Sequence, residues 1–345
     1  MKENFINDGI FAGRVFSHTF EKKTSKAGKE YYSGKMYIAT EGDGGVVVVD
    51  FPYIGKNNKD GEPNKTFLLV EDLIRNKKTI RESGLEKAMI VGTNHAVLSK
   101  NEYFSSKFIT EDGEPTFSSL EQFRAFSFYE MKFVPEKECD RNFFKVDCFI
   151  TKVDFEEGEG ENPNRAVLTC VVFDEVKQGD VRVPAIIPFK FPIYKMGGIN
   201  YFMSIKKGEN ANGLKLPLFT QLVGKVEVTT EMKEAPQEEE EDKMSAFGEE
   251  TETPVAAPTA KITRELVILN AKGTPYKFGL DSTLTKEEVQ NLILEREKRL
   301  EQMKAETVER INNQNRDMEA FDNNYNDSSA PSLEETEDNF IPFEL

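Results

Sequence analysis

The sequence of 345 residues predicts a mainly β protein with two OB-like Greek-key barrels in series. Short runs of β-branched and aromatic residues recur through residues 1–233, and turns rich in Gly, Pro, Asn and Asp separate them. About five such runs fall in each half, which is typical of a small five-stranded barrel of the OB type. We therefore expect a first barrel over residues 1–138 and a second over 139–233. A single large β-sandwich is the alternative.

The predicted elements of the first barrel begin with residues 10–16, an apolar strand rich in β-branched and aromatic side chains. The third strand, residues 46–53, opens with four consecutive valines, which indicates burial on both faces or curling into a barrel. Apolar residues at helical spacing predict a helix over residues 66–81. The other predicted strands are 31–40, 87–98 and 123–134.

The second barrel is predicted from four strands, of which the first two form a hairpin. Residues 181–192 contain three prolines, which favours an edge position or bulges because proline has no N–H to donate to a ladder. The predicted strands are 143–155, 165–176, 181–192 and 216–230.

The net charge of −16 is concentrated outside these barrels. Residues 234–260 contain nine acids and one lysine, and residues 317–345 contain nine acids and no base. Both segments have almost nothing to bury, so we expect an acidic linker and a disordered acidic tail. The two segments sum to −17, which leaves +1 for the rest of the chain. The negative charge therefore gives no argument against nucleic-acid binding by the folded body.

Between the linker and the tail, residues 261–316 predict a short hairpin and a C-terminal helix. Residues 264–270 and 275–278 form the hairpin, and Thr285 with Glu288 has the spacing of a capping box. The helix of about 25 residues carries an apolar stripe that is expected to dock on its own body. Self-association through this stripe, and hence a homo-oligomer, stays open.

The sequence contains little material for catalysis, metal binding or membrane insertion. Its three cysteines, Cys139, Cys148 and Cys170, are irregularly spaced, and its two histidines are His18 and His95. We expect neither a disulfide framework nor a metal site, no cofactor and no enzymatic activity, since no motif for phosphate cradling or nucleophilic catalysis is present. The absence of a signal-peptide pattern or an apolar run long enough to span a bilayer predicts a cytoplasmic protein without membrane contact.

Two stretches combine cations with aromatic rings, which are the two ingredients of single-strand binding, because cations track the phosphates and rings stack on bases. Each stretch taken alone is also explained by core aromatics and solvated lysines. The candidate nucleic-acid-binding residues are Lys22, Lys23, Lys26, Lys29, Tyr31, Tyr32, Lys35 and Tyr37 in the first stretch, and Phe189, Lys190, Phe191, Tyr194, Lys195, Lys206 and Lys207 in the second.

The end of the chain places apolar residues after acids, a pattern that fits a partner pocket ringed by lysine and arginine. The candidate partner-binding residues are Asp338, Phe340, Ile341, Pro342 and Phe343. This segment resembles the acidic tip of the single-stranded-DNA-binding proteins of bacteria and phages. Residues 10–15 and 34–40 also resemble the first two barrel strands of that family. Two residues follow Phe343 here, so the terminal phenylalanine carboxylate of the family is missing.

The resemblance implies a non-enzymatic protein that binds and protects single-stranded DNA in replication, recombination and repair. It implies that the tip recruits a polymerase, helicase, primase or nuclease. The second β unit, the helix after the linker and a length about twice the usual one resemble a bacteriophage version of the family, which would act in the host cytoplasm. The alternative is a β-rich phage interaction or assembly protein with no nucleic-acid role.

Deleting residues 317–345 is expected to tighten binding of single-stranded DNA at low salt. A flexible acidic segment of this length spans roughly 30 Å and can compete with DNA for the protein's own cations. Titration of a labelled oligo-dT with the full-length and shortened chains measures the effect. Equal affinities across a salt titration would exclude this competition.

Overall fold

A computed structural model of the chain describes residues 5–40, 45–93, 95–110, 114–158, 163–178, 181–233, 259–277 and 285–326. The chain divides into two compact units. The first comprises Met1–Asn101 and Leu120–Arg296, and the second comprises Glu102–Ser119 and Glu297–Leu345. Both predicted barrels contribute to the first unit, and the boundary between residues 138 and 139 stays a prediction.

The prediction of a mainly β fold with a C-terminal helix is confirmed. The strands and helices follow one another in the order β1 (Asn7–His18), β2 (Glu21–Thr24), β3 (Glu30–Ala39), β4 (Val46–Gly55), α1 (Lys65–Arg75), α2 (Ile80–Ser83), β5 (Ile90–Thr93), β6 (Val97–Ile109), β7 (Pro115–Arg124), β8 (Phe128–Glu130), β9 (Asn142–Glu156), β10 (Arg165–Gln178), β11 (Val181–Ile193), α3 (Met196–Lys207), β12 (Leu218–Lys233), β13 (Thr259–Ala271) and α4 (Lys286–Asn326). Among the described helices, none is both long and apolar enough to cross a bilayer.

The strands of the described residues belong to one sheet, with the order β11-β10-β9-β1-β3-β4-β7-β6 along its main path. Off this path, β12 pairs with β9 and β13, β2 pairs with β3, and β5 pairs with β1 and β8. Of the pairs other than β7 with β6, β4 with β7 is parallel and the others are antiparallel. In the second half of the sheet β13 lies against β11 without a hydrogen-bonded ladder between them, so the barrel is nearly closed.

Strand β9 joins the two halves because it is paired along both edges. One edge pairs first with β1, from Asn142 to Val146, and then with β10, from Cys148 to Glu156. The other edge pairs with β12. The Asn7 side chain lies where β1 gives way to β10, and its amide donates to the carbonyls of Leu98 at 2.9 Å and Phe173 at 3.4 Å.

The core is continuous across the two predicted barrels. A series of aromatic contacts runs from Phe11 to Phe123 at 4.5 Å between ring centroids, then to Phe144 at 5.8 Å and to Phe191 at 6.1 Å. All four rings are almost fully buried. The hydrophobic effect that stabilises the first predicted barrel is therefore shared with the second.

Close strand packing explains the glycine in the first predicted strand. A Cβ placed on Gly13 would lie 2.0 Å from the carbonyl oxygen of Ala39 on β3. Real Cβ atoms do not approach an oxygen so closely. Any other residue at position 13 would therefore push β1 and β3 apart.

The helix predicted over residues 66–81 is found as α1 and α2. Asn64 caps α1 by accepting a hydrogen bond from the Thr66 N–H at 3.0 Å, which satisfies one of the free amides at the helix start. The helix ends at Arg75, and Lys77 then adopts a φ of 49°, a left-handed conformation that ends a helix. Thr79 starts α2 as its N-cap.

Three differences from the sequence expectations appear in the second half of the chain. Strand β13 pairs with β12 over its whole length, and residues 275–277 of the predicted hairpin partner 275–278 are not in a strand, while residue 278 lies outside the described residues. The sequence pattern predicts no helix where α3 lies and indicates only a basic and aromatic stretch there. The helix buries Ile199, Phe202 and Ile205. Helix α4 extends to Asn326, so residues 317–326 are helical rather than disordered; adding a residue to an existing helix costs far less than starting one.

The capping box at the start of α4 is confirmed. The Thr285 N–H donates to the Glu288 carboxylate at 2.6 Å, and the Glu288 N–H donates to the Thr285 hydroxyl at 3.2 Å. The start of the apolar stripe docks on the first unit, since Val289 is buried in a cluster with Phe149 and Phe219.

Replacing Asn142 with alanine is expected to destabilise the protein. Its side chain is 1% exposed and continues the β9–β12 ladder, donating to the Val226 carbonyl at 2.7 Å and accepting from the Val226 N–H at 3.0 Å. The variant leaves both buried groups unpaired, at about 1–3 kcal/mol for each group. Urea unfolding measures the loss, and Asn200→Ala on the exposed side of α3 is the control. Equal unfolding free energies for the two variants would contradict the assigned role.

Candidate functional site

The β2–β3 hairpin places the residues of the first candidate stretch on two opposite faces of the sheet. Lys23 pairs directly with Tyr31, and Lys22 pairs with Tyr32. Directly opposed residues of an antiparallel pair share a face of the sheet. The face of Tyr32 points into the core, where this ring is 7% exposed and lies 4.8 Å from the Phe67 ring. Burial raises the pKa of Tyr32. We therefore do not retain Tyr32 as a stacking residue.

The opposite face carries a pair of stacked tyrosines. The rings of Tyr31 and Tyr53 lie 4.8 Å apart between centroids with an angle of 29° between their planes, and Tyr53 is 44% exposed. Gly55 lies directly opposite Tyr31 on β4, and a Cβ there would lie 3.0 Å from the Tyr53 ring. The missing side chain of Gly55 thus gives Tyr53 the space to reach Tyr31.

Lys35 and Tyr37 continue the same face along β3. They follow Tyr31 by four and six residues, and even spacings place residues on the same side of a strand, while the alternate residues Met36 and Ile38 are fully buried. We call Lys23, Tyr31, Lys35, Tyr37 and Tyr53 the tyrosine surface. It combines flat rings and amines on one face of three neighbouring strands, β2, β3 and β4.

The lysines of this hairpin differ in how closely carboxylates and rings contact their amines. Lys22 lies 3.2 Å from Glu30 and 4.0 Å from Glu71, and its amine lies over the Phe67 ring. Hydrogen bonds from Lys56 and then from Lys22 lower the pKa of Glu30. Among the residues with described positions, Lys23 has one ion-pair partner, Glu21 at 3.4 Å, and this contact is exposed; exposed pairs contribute little.

Three further lysines of the first stretch form no ion pair with any residue that the structure describes: Lys26, Lys29 and Lys35. Lys26 and Lys29 are exposed in the loop between β2 and β3, and Lys35 is half-buried on β3. Their positive charge is therefore available to an anionic ligand.

The second candidate stretch contains two rings that belong to the core. Phe189 is 1% exposed and Phe191 is 0% exposed, and their rings stack on each other at 5.7 Å. No base can reach them in this arrangement, so we do not retain them as stacking residues.

Tyr194 also has a structural partner. Its hydroxyl donates to Glu265 on β13 at 2.5 Å and accepts from Arg165 at 3.2 Å, while Arg165 contacts Glu265 at 2.9 Å and Glu156 at 2.7 Å. Burial, and after it the bond to Glu265, raises the pKa of Tyr194. This cluster connects β11 to β13 across the unpaired side of the barrel.

Two lysines of the second stretch, Lys190 and Lys206, lie near Lys152, which was not among the candidates from the sequence. Thr169 pairs with Lys190 on one side and with Lys152 on the other, which places the two lysines in one row across three strands. Lys152 contacts Asp154 at 2.8 Å, and Lys206 of α3 lies 3.9 Å from the same carboxylate. The hydrogen bond from Lys152, together with the charges of Lys206 and Lys190, lowers the pKa of Asp154.

We call Lys152, Lys190 and Lys206 the lysine row. Lys152 and Lys206 lie within 4 Å of the Asp154 carboxylate, and the three amines outnumber this one carboxylate. Lys195 and Lys207 are exposed at the two ends of α3. In the sequence, Lys152 is an isolated lysine in a strand, and only the strand register reveals its neighbours.

The remaining candidates fall outside the described residues. These are the partner-binding residues Asp338, Phe340, Ile341, Pro342 and Phe343. Within the ranges that the structure describes, no group of three or more His, Cys, Asp or Glu side chains is arranged to hold a metal ion.

The sequence matches one family model, described as YorF, over residues 7–306. No curated protein matches the chain. Among solved structures, the wild-type single-stranded DNA binding protein from Thermus aquaticus matches with 10% identity and a TM-score of 0.38, over 80% of this chain and 98% of that chain. A deletion variant of that protein matches with 9% identity and a TM-score of 0.39, over 81% of this chain and 99% of that chain.

Proposed function

The chain belongs to the YorF family, and we propose that it binds single-stranded DNA without strong sequence preference. The observation that carries this proposal is the exposed ring pair of Tyr31 and Tyr53, with Lys23 and Lys35 on the same face. Every base has a flat face, so stacking on tyrosine tolerates any sequence, and amines beside the rings neutralise the phosphates.

The lysine row is the second phosphate contact in this proposal. Its amines project from β9, β11 and α3 rather than from the hairpin, and none of the retained rings lies among them. It therefore supplies charge but no stacking, and its contribution is expected to depend on salt more than on the bases.

The C-terminal segment completes the proposal. Its resemblance to the acidic tip of single-stranded-DNA-binding proteins supports recruitment of a polymerase, helicase, primase or nuclease in replication, recombination or repair. We place the protein in the cytoplasm of a phage-infected host and assign it no enzymatic activity. Removing residues 327–345 leaves α4 whole and so tests the tail without shortening a helix.

Alanine at Tyr31 or Tyr53 is expected to weaken binding of an oligo-dT of about 30–40 nucleotides. Loss of one base–ring stack removes about 1–3 kcal/mol, which raises Kd about 5- to 150-fold. Fluorescence anisotropy with a labelled oligo-dT measures the change. Tyr53→Phe keeps the ring and should bind nearly as the wild type does.

The matched control is Tyr103→Ala, which removes a similarly exposed tyrosine of β6 that lies outside the tyrosine surface. If Tyr103→Ala and Tyr53→Ala weaken binding equally, the tyrosine surface is not the site. If the wild-type protein does not bind oligo-dT at low salt, the proposed function is wrong.

The double variant Lys23→Ala with Lys35→Ala is expected to reduce the salt dependence of binding. Each phosphate contact on a single strand contributes about 0.7 to the slope of log K against log salt, so two lost contacts lower the slope by about 1.4. The control is Lys59→Ala in the exposed loop after β4. Parallel salt plots for the double variant and the control would reject these phosphate roles.

A further inference from the structure

Strand β7 adds an arginine to the face that carries the tyrosine surface. Asp50 of β4 lies directly opposite Lys35 of β3, and on its other side it lies opposite Arg124 of β7. The preceding pair of β4 and β7, Val49 with Phe123, is buried in the core. Successive residues of a strand point to opposite faces, so Asp50 and Arg124 lie on the outer face together with Lys35. We call these three residues the charged row.

Backbone pairing fixes the place of Arg124 in this row. The N–H of the next residue, Ala125, donates to the Asp50 carbonyl at 2.9 Å. Neighbouring strands are about 4.8 Å apart, so roughly 10 Å separates the backbones of Lys35 and Arg124 across β4. Because the backbone holds β7 against β4, a change of the Arg124 side chain should leave the strand pairing intact.

The ion pair between Asp50 and Arg124 is loose. The Nε atom of Arg124 lies 3.5 Å from Oδ2 of the carboxylate and has no hydrogen bond with a described residue. The Gln122 amide donates to the same oxygen, also at 3.5 Å, the outer limit of a hydrogen bond. A well-formed pair of arginine and carboxylate has two bonds of about 2.7–2.9 Å. Asp50 therefore offsets the charge of Arg124 without fixing its guanidinium.

The end of the Arg124 side chain is open to a ligand. The side chain is 38% exposed, although its Nε is shielded from solvent. The two terminal nitrogens, Nη1 and Nη2, are not shielded and form no hydrogen bond with any residue that the structure describes. A guanidinium is planar, always charged, and matches two oxygens of one phosphate. The nitrogens that such a contact needs are thus the accessible ones.

From these features we propose that Arg124 contacts a phosphate of the bound DNA, so that the strand continues from the tyrosine surface over the charged row to β7. This inference rests on the proposed function, because it names a further contact for the same ligand. Tyr31 and Tyr53 stack on bases, while Lys35 and Arg124 neutralise phosphates on either side of Asp50. The Asp50 carboxylate repels the phosphates and lowers the affinity of the site.

Arg124→Ala is expected to weaken binding of oligo-dT about tenfold at low salt, since it removes a hydrogen-bonded charge. It should also lower the slope of log K against log salt by about 0.7, the value for one phosphate contact on a single strand. Arg124→Lys keeps the charge and loses the planar fork, so its slope should match the wild type and its affinity should lie between the two. Fluorescence anisotropy over a salt titration measures both quantities, and Arg310→Ala on the exposed side of α4 is the control.

Asp50→Asn keeps the shape of the side chain and removes its charge. It is expected to tighten binding of oligo-dT about threefold at low salt, because one charge about 7 Å from a phosphate in water changes the affinity by that factor. The gain should shrink as salt screens the charge. Glu301→Gln removes an exposed acid of α4 and is the control for the change in net charge.

The inference is overturned if Arg124→Ala and Asp50→Asn bind oligo-dT as their α4 controls do. It is also overturned if Asp50→Asn binds more weakly than the wild type, because the carboxylate would then support the contact instead of opposing it. In both cases, binding that still depends on Tyr31 and Tyr53 leaves the proposed function intact. A wild-type protein that does not bind oligo-dT would reject the proposed function and this inference together.

Discussion

The pairing of β9 along both of its edges is the constraint on which the rest of the first unit depends. Because β1 and β10 share one of its edges and β12 takes the other, β9 connects the strands of the first predicted barrel to those of the second. Two asparagine side chains complete the hydrogen bonding where the ladders begin and end, Asn7 between β1 and β10 and Asn142 beside Val226. Backbone groups in a buried junction need such partners, since water does not reach them.

The aromatic residues are sorted between core and surface by the alternation of the strands. On β3, Tyr31 and Tyr37 share a face with Lys35, and Tyr32 points to the opposite side and packs on Phe67. Neighbouring tyrosines of one strand therefore have different roles, one in stability and one on a surface that is open to a ligand. The same sorting buries Phe189 and Phe191 while it exposes Lys190 between them.

The distribution of charge on the described body is uneven in a way that the net charge conceals. Lysines of the β2–β3 loop have no acidic partner among the described residues, and two lysines, Lys152 and Lys206, lie within 4 Å of the Asp154 carboxylate. In contrast, Arg165, Lys56 and Lys225 are held by carboxylates and serve the fold. Positive charge is thus available at a few places on a chain whose net negative charge comes from residues 234–260 and 317–345.

The sequence by itself determined the fold class, the start of α1, the capping box of α4 and the clustering of lysines and tyrosines before and within β3, because each depends on residues close together in the chain. The tertiary structure decided which rings are buried, that Tyr53 stacks on Tyr31, that Lys152 lies beside Lys190, and that β13 pairs with β12. These outcomes depend on which strands pair and in what register, and register shifts occur within the pairs β3–β4, β9–β10 and β12–β13. A shift of one residue moves side chains to the opposite face, and the pattern of residues in one strand contains no information about the register of its partner.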